Sequence, residues 1–404
     1  MSTSFNALHE LAVQRDASNP LAHIRQLFDL PGDQTYFLGN SLGPLTHHAR
    51  EAVDHAVNHE WKVGLVRTWH DGDWLELATA TGDRVARIIG AEPGSVIAGD
   101  STSVALFKVL CAAVQKNKTA ERDVLLCDAN NFPTDRYVAK SVADLYGMQF
   151  VELPVPEMAA RFGSDVAVVT ASAVDFRTAE LHDMGTITSA AHSHGALFVW
   201  DLAHAAGVVL CDVAKNDVDF AVGCGYKYLN GGPGAPAFMY VAPRHANEVT
   251  QPIPGWFGHA EPFAFEDTYR PAEGVARFAS GTTHVLSMKA MHAALQVFDS
   301  TTIADVRSGC VALGDFFIRA FDEHLAGGGF SLGSTREATR RGGHIALLHP
   351  DAEAMSKALI ARGLIVDFRP PNVIRIAFNP LFIRFSDVAH LVDALSVIAD
   401  GRGD

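Results

Sequence analysis

The chain has 404 residues, 48% of them apolar and 19% charged, with a formal net charge of −14. That composition is globular rather than disordered. The charge disfavours a general nucleic-acid binder and a protein held on acidic membranes.

Pro20 and Pro31-Gly32 break the first forty residues, whose pattern is mixed. Helices are expected over 49–61 and 74–89. From there short β-rich runs alternate with helical stretches, the pattern of a mostly parallel sheet with crossover helices. A helix over 101–114 opens on Ser-Thr-Ser, a good N-cap, and a strand over 124–127 follows. The next helix, 134–146, has Pro133 before it and Asp135 in its first turn. Strands are expected over 149–153, 165–172, 197–201, 219–223 and 237–241, with a helix over 186–194. Two longer helices, 287–298 and 302–324, come next. The tail reads as α+β: strand 344–348, helix 351–362, strand 374–378 and helix 386–399. The expectation is therefore α/β, with a large mostly parallel domain over 60–290 and a smaller α+β domain over 291–404. Residues 1–59 are expected to pack with the small domain.

The first twenty residues have no basic segment followed by an apolar one, so no secretory signal is expected. The longest apolar run, GALFVWDLAHAAGVVLCDVA, carries Asp201 and His204 in its middle and is a poor membrane span. The five cysteines, at 111, 127, 211, 224 and 310, are odd in number and contain no CxxC, which points to a reducing, cytoplasmic compartment.

The most informative segment runs from Leu197 to Gly234. An apolar strand ends in Asp201, and ligands of open α/β sheets sit at the carboxyl ends of strands. His204 follows three residues on. Lys227, one of only nine lysines against twenty-three arginines, lies in CGYKYLNGGPGAP after a buried-looking strand. A desolvated lysine is a nucleophile for carbonyl groups. An acid and such a lysine are the minimum set for pyridoxal phosphate: the amine condenses with the aldehyde, and the acid keeps the ring nitrogen protonated. Taken singly, the acid also fits a turn cap and the lysine a loop side chain reaching water.

WDLAHAAG followed by GYKYLNGGPG resembles fold-type I pyridoxal phosphate enzymes of the class V aminotransferase group, and within it the kynureninase family. The resemblance extends over YFLGNSLGP (36–44), NNFPTDRY (130–137), PGWFGH (254–259), FASGTT (278–283), RRGGH (340–344) and IRIAFNPLF (374–382). It implies hydrolysis of L-kynurenine, and of 3-hydroxykynurenine, in tryptophan catabolism. Lys227 would hold the cofactor and move the α-proton. Asp201 would pair with the ring nitrogen, with Asp135, Ser172 and His204 close by. Thr102 and Ser103, opening a helix, and Tyr226 would hold the phosphate, and Tyr226 would also donate a proton. Phe132 would stack on the ring. Arg375 would grip the substrate carboxylate, while Ser41 and Trp69 sit in segments that line its aromatic end. Trp256 and Thr282 belong to motifs that reach into a partner's site, so a homodimer is implied; some relatives carry Asn at the position of Thr282.

Other readings are weighed against this one. A cysteine desulfurase would need a reactive thiol on a mobile loop, an aminotransferase would transfer the amino group, and a non-catalytic regulator of the same fold would do neither. His55 and His59 are one helical turn apart, with His48 near the same face, but no Cys or acid completes a metal set, and none is expected. His192 and His194 read as structural. No GxGxxG or GxxxxGK[ST] motif is present, and the terminal GRGD reads as a tail.

Overall fold

The computed structural model describes residues 3–401; the Arg-Gly-Asp of the chain end, 402–404, lies outside the described residues. The chain begins with helix α1 (Thr3–Ala17) and the short strand β1 (Thr35–Tyr36). Helix α2 (His47–His55) opens on Thr46, whose Oγ1 accepts the Ala49 N–H at 3.1 Å. It does not run on to 61 as an ordinary α-helix: from Ala56 to Gly64 the turns widen into a π-helix. Such widening takes up extra residues while a helix stays in place. Here Glu60 is held from three sides, its carbonyl accepting the Thr68 hydroxyl and its carboxylate bonding Trp74 Nε1 and Lys289 Nζ.

The large sheet has seven strands: β2 (Val96–Gly99), β3 (Val124–Asp128), β4 (Gln149–Leu153), β5 (Val166–Ser172), β6 (Leu197–Asp201), β7 (Phe220–Cys224) and β8 (Ala237–Val241). Their order is β2-β8-β7-β6-β5-β3-β4. The β4-β3-β5-β6-β7 run is parallel, and β8 is antiparallel to both its neighbours. β3, β5 and β7 are buried along their whole length, as strands covered on both faces must be. Helix α3 (Thr102–Asn117) lies across β5 to β8. Its N-cap is Ser101, whose Oγ accepts the Val104 N–H at 3.4 Å. Helix α4 (Pro133–Leu145) follows β3, and α5 (Val285–Ala294) packs on α2.

After helix α6 (Ile303–His324) comes a four-stranded antiparallel sheet of β9 (Ser331–Leu332), β10 (His344–Leu348), β12 (Asp367–Arg369) and β13 (Val373–Ala377), ordered β12-β13-β10-β9. Strand β11 (Leu364–Ile365) instead pairs in parallel with β1. The last helix, α7 (Phe385–Ala399), takes α1 against its side. Asp16 of α1 accepts the Phe385 and Ser386 N–H groups at 2.7 and 3.0 Å, capping α7. The N-terminal segment is thus bound to the C-terminal part by a strand pair and a cap. No helix among the described residues is long and apolar enough to cross a membrane.

The segment 36–44 links the two parts. Phe37 takes backbone bonds with Ile365 and Ala377, and six residues later the Gly43 N–H reaches the Tyr226 carbonyl at 2.7 Å. A Cβ on Gly43 would lie 2.5 Å from both Asn230 Cα and the Lys227 carbonyl. Neither backbone atom can yield cheaply. Gly43→Ala is expected to cost about 1–3 kcal/mol by overpacking and to displace the Tyr226-Lys227 turn. A thermal melt checks this: an unchanged midpoint would show the approach is not tight.

Candidate active site

The carboxyl ends of β3, β5, β6 and β7 open onto a cavity of about 320 Å³. That is the size of a small-molecule site. Ser41, Thr102, Ser103, Phe132, Asp135, Asp201, His204, Tyr226, Lys227 and Arg375 all line it, although they come from six separate stretches of chain. Ser172 stands one layer behind; it is the register partner of Asp201 across β5 and β6, and its hydroxyl donates to Asp201 Oδ2 at 3.3 Å. Trp69, Trp256 and Thr282 do not line the cavity within one chain. Trp69 and Trp256 both meet Phe257 edge-on, with centroids 5.5 and 4.3 Å away, and Thr282 is exposed.

Asp201 is buried, and its Oδ1 accepts the Ala203 N–H at 2.8 Å. Burial raises its carboxyl above the ordinary range, while Lys227 pulls the other way. Asp135 is held well above that range, first by burial and then by the charge of Asp201. The two acids share one dry pocket, where like charges disfavour ionisation of both. His204 is buried, and its imidazole is kept neutral first by burial and then by Lys227. The His344 ring lies 6.0 Å away and is drawn down to about 3 by burial, so it too is neutral. Lys227 Nζ lies 3.4 Å from His204 Nε2 and 5.7 Å from the Tyr226 ring centroid. The lysine is half-buried rather than sealed in the core as its strand context suggests. Burial pushes the Tyr226 phenol up, so it stays protonated. Phe132 is 43% exposed and stands edge-on to Phe176 at 5.2 Å.

This donor set fits pyridoxal phosphate. Asp135 Oδ2 is buried without a hydrogen-bond partner, beside a second acid. Two adjoining carboxyls with an orphaned oxygen suit a protonated ring nitrogen. At the other side of the cavity, the first turn of α3 presents Thr102 and Ser103, whose hydroxyls and N–H groups suit a phosphate.

One consequence concerns the cofactor-free protein. A carboxyl raised in the folded state favours folding at low pH and loses that contribution as pH rises through the raised value. Asp135→Asn is therefore expected to raise the thermal midpoint of the cofactor-free protein near neutral pH by about 2–4 °C. The gain should shrink toward the unfolded carboxylate value of about 3.9. Midpoints across pH check this, and a loss at neutral pH would contradict it.

Five further residues line the cavity without having been singled out: Asn40, Thr134, Phe176, Ala203 and Arg369. Asn40 and Thr134 lie inside motifs already quoted, whereas nothing in the sequence marks Phe176 or Arg369. The competing signals fall elsewhere. His55 and His59 stack at 5.0 Å, and among the described residues no group of three metal-ligating side chains forms. His192 Nε2 is bonded to buried Asp219 at 2.7 Å, a structural contact. All five cysteines are free and buried. Burial pushes the thiols of Cys111 and Cys310 up to about 11 and that of Cys211 to about 12.

Comparison with known proteins gives the same assignment. Residues 55–341 match the family Aminotransferase class-V, and residues 306–395 match the Kynureninase C-terminal domain. A kynureninase of Pseudomonas fluorescens is 41% identical over 96% of this chain and 94% of its own. A kynureninase of Deinococcus radiodurans is 41% identical over 95% of each. Among solved structures, a C-DES mutant with glycine covalently linked to its PLP cofactor superposes with a TM-score of 0.82. It is 18% identical and covers 92% of this chain and 98% of its own, a likeness of fold alone. The full-length similarity to those two enzymes and the match to the C-terminal domain model place the chain in the kynureninase family.

Proposed function

We propose that the chain hydrolyses the Cβ–Cγ bond of L-kynurenine, giving anthranilate and L-alanine, with pyridoxal phosphate as cofactor. One observation carries this reading: the kynureninase-like motifs at 36–44, 130–137, 200–207, 225–234 and 374–382, far apart in sequence, supply side chains to a single cavity. When bound, the cofactor supplies an aldehyde for the substrate amine and a ring that accepts an electron pair.

The chain's own residues do the rest. Thr102, Ser103 and Tyr226 hold the phosphate, and Phe132 covers the ring face. Asp201 keeps a proton at the ring nitrogen, oriented by Ser172 and the Ala203 N–H, with Asp135 as second acid. Lys227 Nζ takes the α-proton; its neighbour His204 is neutral and adds no competing charge. Water adds at the γ-carbonyl, and the protonated Tyr226 phenol donates to the oxygen there. Arg375 receives the carboxylate. Cleavage releases anthranilate; a proton delivered to Cβ and one returned by Lys227 to Cα complete alanine.

The active unit is a homodimer. Trp61, Val66 and Phe265 are 57%, 73% and 78% exposed, a density of bare apolar side chains that suits a covered face. Trp256 and Thr282, which lie outside their own cavity, then serve the partner's, and 3-hydroxykynurenine is a second substrate whose ranking Thr282 adjusts. The domains run 1–59, 60–290 and 291–404, and the five unpaired thiols accord with a cytoplasmic setting. The buried thiols speak against a desulfurase, which needs an accessible one.

Product accounting tests the reaction. The holoenzyme given L-kynurenine alone should yield anthranilate and alanine in equal amounts. Kynurenine consumed without anthranilate would indicate amino transfer, and sulfur release from cysteine would indicate a desulfurase; either overturns the proposal.

A further inference from the structure

We propose that Lys108 is a positioning residue for cofactor binding: clamped between Asp100 and the Phe278 carbonyl, it holds the first turn of α3 in shape and ties that turn to the segment carrying Thr282. The proposal rests on the reading that this turn takes the cofactor phosphate.

A lysine is rarely sealed in a protein interior unless it is paired. Lys108 is fully buried in α3 and does not line the cavity. A helical side chain leans back toward the start of its own helix, so the ammonium is carried to the end where cations are least favoured. There Nζ donates to Asp100 Oδ2 at 2.5 Å and to the Phe278 carbonyl at 2.8 Å. Packing alone does not explain a cation placed out of water and against the helix dipole.

Its two partners do. Asp100 is the one residue between β2 and the N-cap Ser101, and its φ is +54°. That left-handed backbone is uncommon for a residue with a side chain. It sets the direction in which the chain leaves β2, and so where the N–H groups of Thr102 and Ser103 point. Asp100 is held at both ends: its carbonyl accepts the Ala237 N–H of β8 at 3.0 Å, and its carboxylate is gripped by Lys108. Phe278 opens the FASGTT segment. Two residues on, the Ser280 carbonyl accepts the Phe257 N–H at 3.1 Å and Ser280 Oγ donates to the Ile253 carbonyl at 2.6 Å, which seats the loop carrying Trp256. One buried ammonium therefore joins the phosphate turn to the two motifs whose Trp256 and Thr282 lie outside their own cavity.

Lys108→Met fills much the same space without the charge, and Asp100, whose side chain is 26% exposed, can then turn to water. Cofactor-free protein is titrated with pyridoxal phosphate and with pyridoxal, following the visible band. The variant should bind pyridoxal phosphate about 10–100-fold more weakly, with pyridoxal within about threefold of wild type. Glycine adopts a positive φ at no steric cost, so Lys108→Met/Asp100→Gly should regain most of the lost affinity. In the wild type, amide exchange over 100–104 and 276–282 should slow together when pyridoxal phosphate is added, a result that does not depend on any variant folding. A Lys108→Met protein that loses both ligands equally, or keeps wild-type affinity for both, overturns the proposal. So does a double variant no better than the single one, or wild-type protection confined to 100–104. A wild type that binds pyridoxal as tightly as pyridoxal phosphate would instead overturn the phosphate reading of α3 alone.

Discussion

Lys227→Ala protein should fold and melt close to wild type, yet release anthranilate at least about 10⁴-fold more slowly. The lysine is half-buried, and its ammonium makes no ion pair among the described residues; its nearest polar neighbour is His204 Nε2 at 3.4 Å. Little of the fold depends on it. Its removal deprives the cavity of its only lysine, and so of the amine placed to bond the cofactor and to move the α-proton. Two readouts separate this from a general disturbance: the visible band of lysine-bound cofactor should vanish, and the melting midpoint should stay. Turnover within tenfold of wild type would remove Lys227 from the account.

The second large effect is expected at Asp201. Asp201→Asn preserves the shape and the bond from the Ala203 N–H, but it cannot hold a proton at the ring nitrogen as a carboxylate does. Turnover should fall about 10³-fold or more, close to the loss in Asp201→Ala. Cofactor affinity should fall less in the Asn variant than in the Ala variant, because packing and one hydrogen bond survive. A folded Asp201→Asn enzyme with more than about a tenth of wild-type turnover would show that Asp135 or another group supplies the ring proton.

Both effects concern residues that a short stretch of sequence already marks. An apolar run that stops at an acid has few structural explanations, and β6 ends at Asp201 as that run predicts. Strands 149–153, 237–241 and 344–348 also match residue for residue: 237–241 is a buried apolar run, 344–348 is bounded by Gly343 and His349, and 149–153 is a half-exposed edge strand that follows the turn at Gly147. The strands around Cys127 and Asp219 slip by one: β3 takes in Asp128, and β7 begins at Phe220, leaving Asp219 to accept hydrogen bonds from His192 and His245. Where tertiary structure decides, the sequence is mute. β2 is only Val-Ile-Ala-Gly and becomes a strand by pairing with β8, some 140 residues on, a non-local contact of the kind local patterns miss. Helix α1 carries apolar groups on more than one side; Leu8 and Ala12 are buried while Val13 is exposed, which blurs its period. The π-helix at 56–64 departs from the 3.6-residue period altogether.

The same logic holds in the site. Asp367 lies eight residues before Arg375, a spacing without meaning until β12 and β13 pair and make the two direct register partners. Arg369 enters the cavity through that hairpin, so no linear motif announces it. Trp256 and Thr282 lie in motifs of the family yet outside their own chain's cavity, and Trp69, expected to line it, packs on Trp74 and Phe257 instead.

The most direct test of the account is the identity of the lysine that carries the cofactor. Holoenzyme is reduced with borohydride to fix the cofactor in place, digested, and mapped by mass spectrometry. The account predicts a single labelled peptide, with the added mass on Lys227. Label on Lys108, which is buried in α3 against Asp100 and the Phe278 carbonyl, or on any other lysine would contradict it.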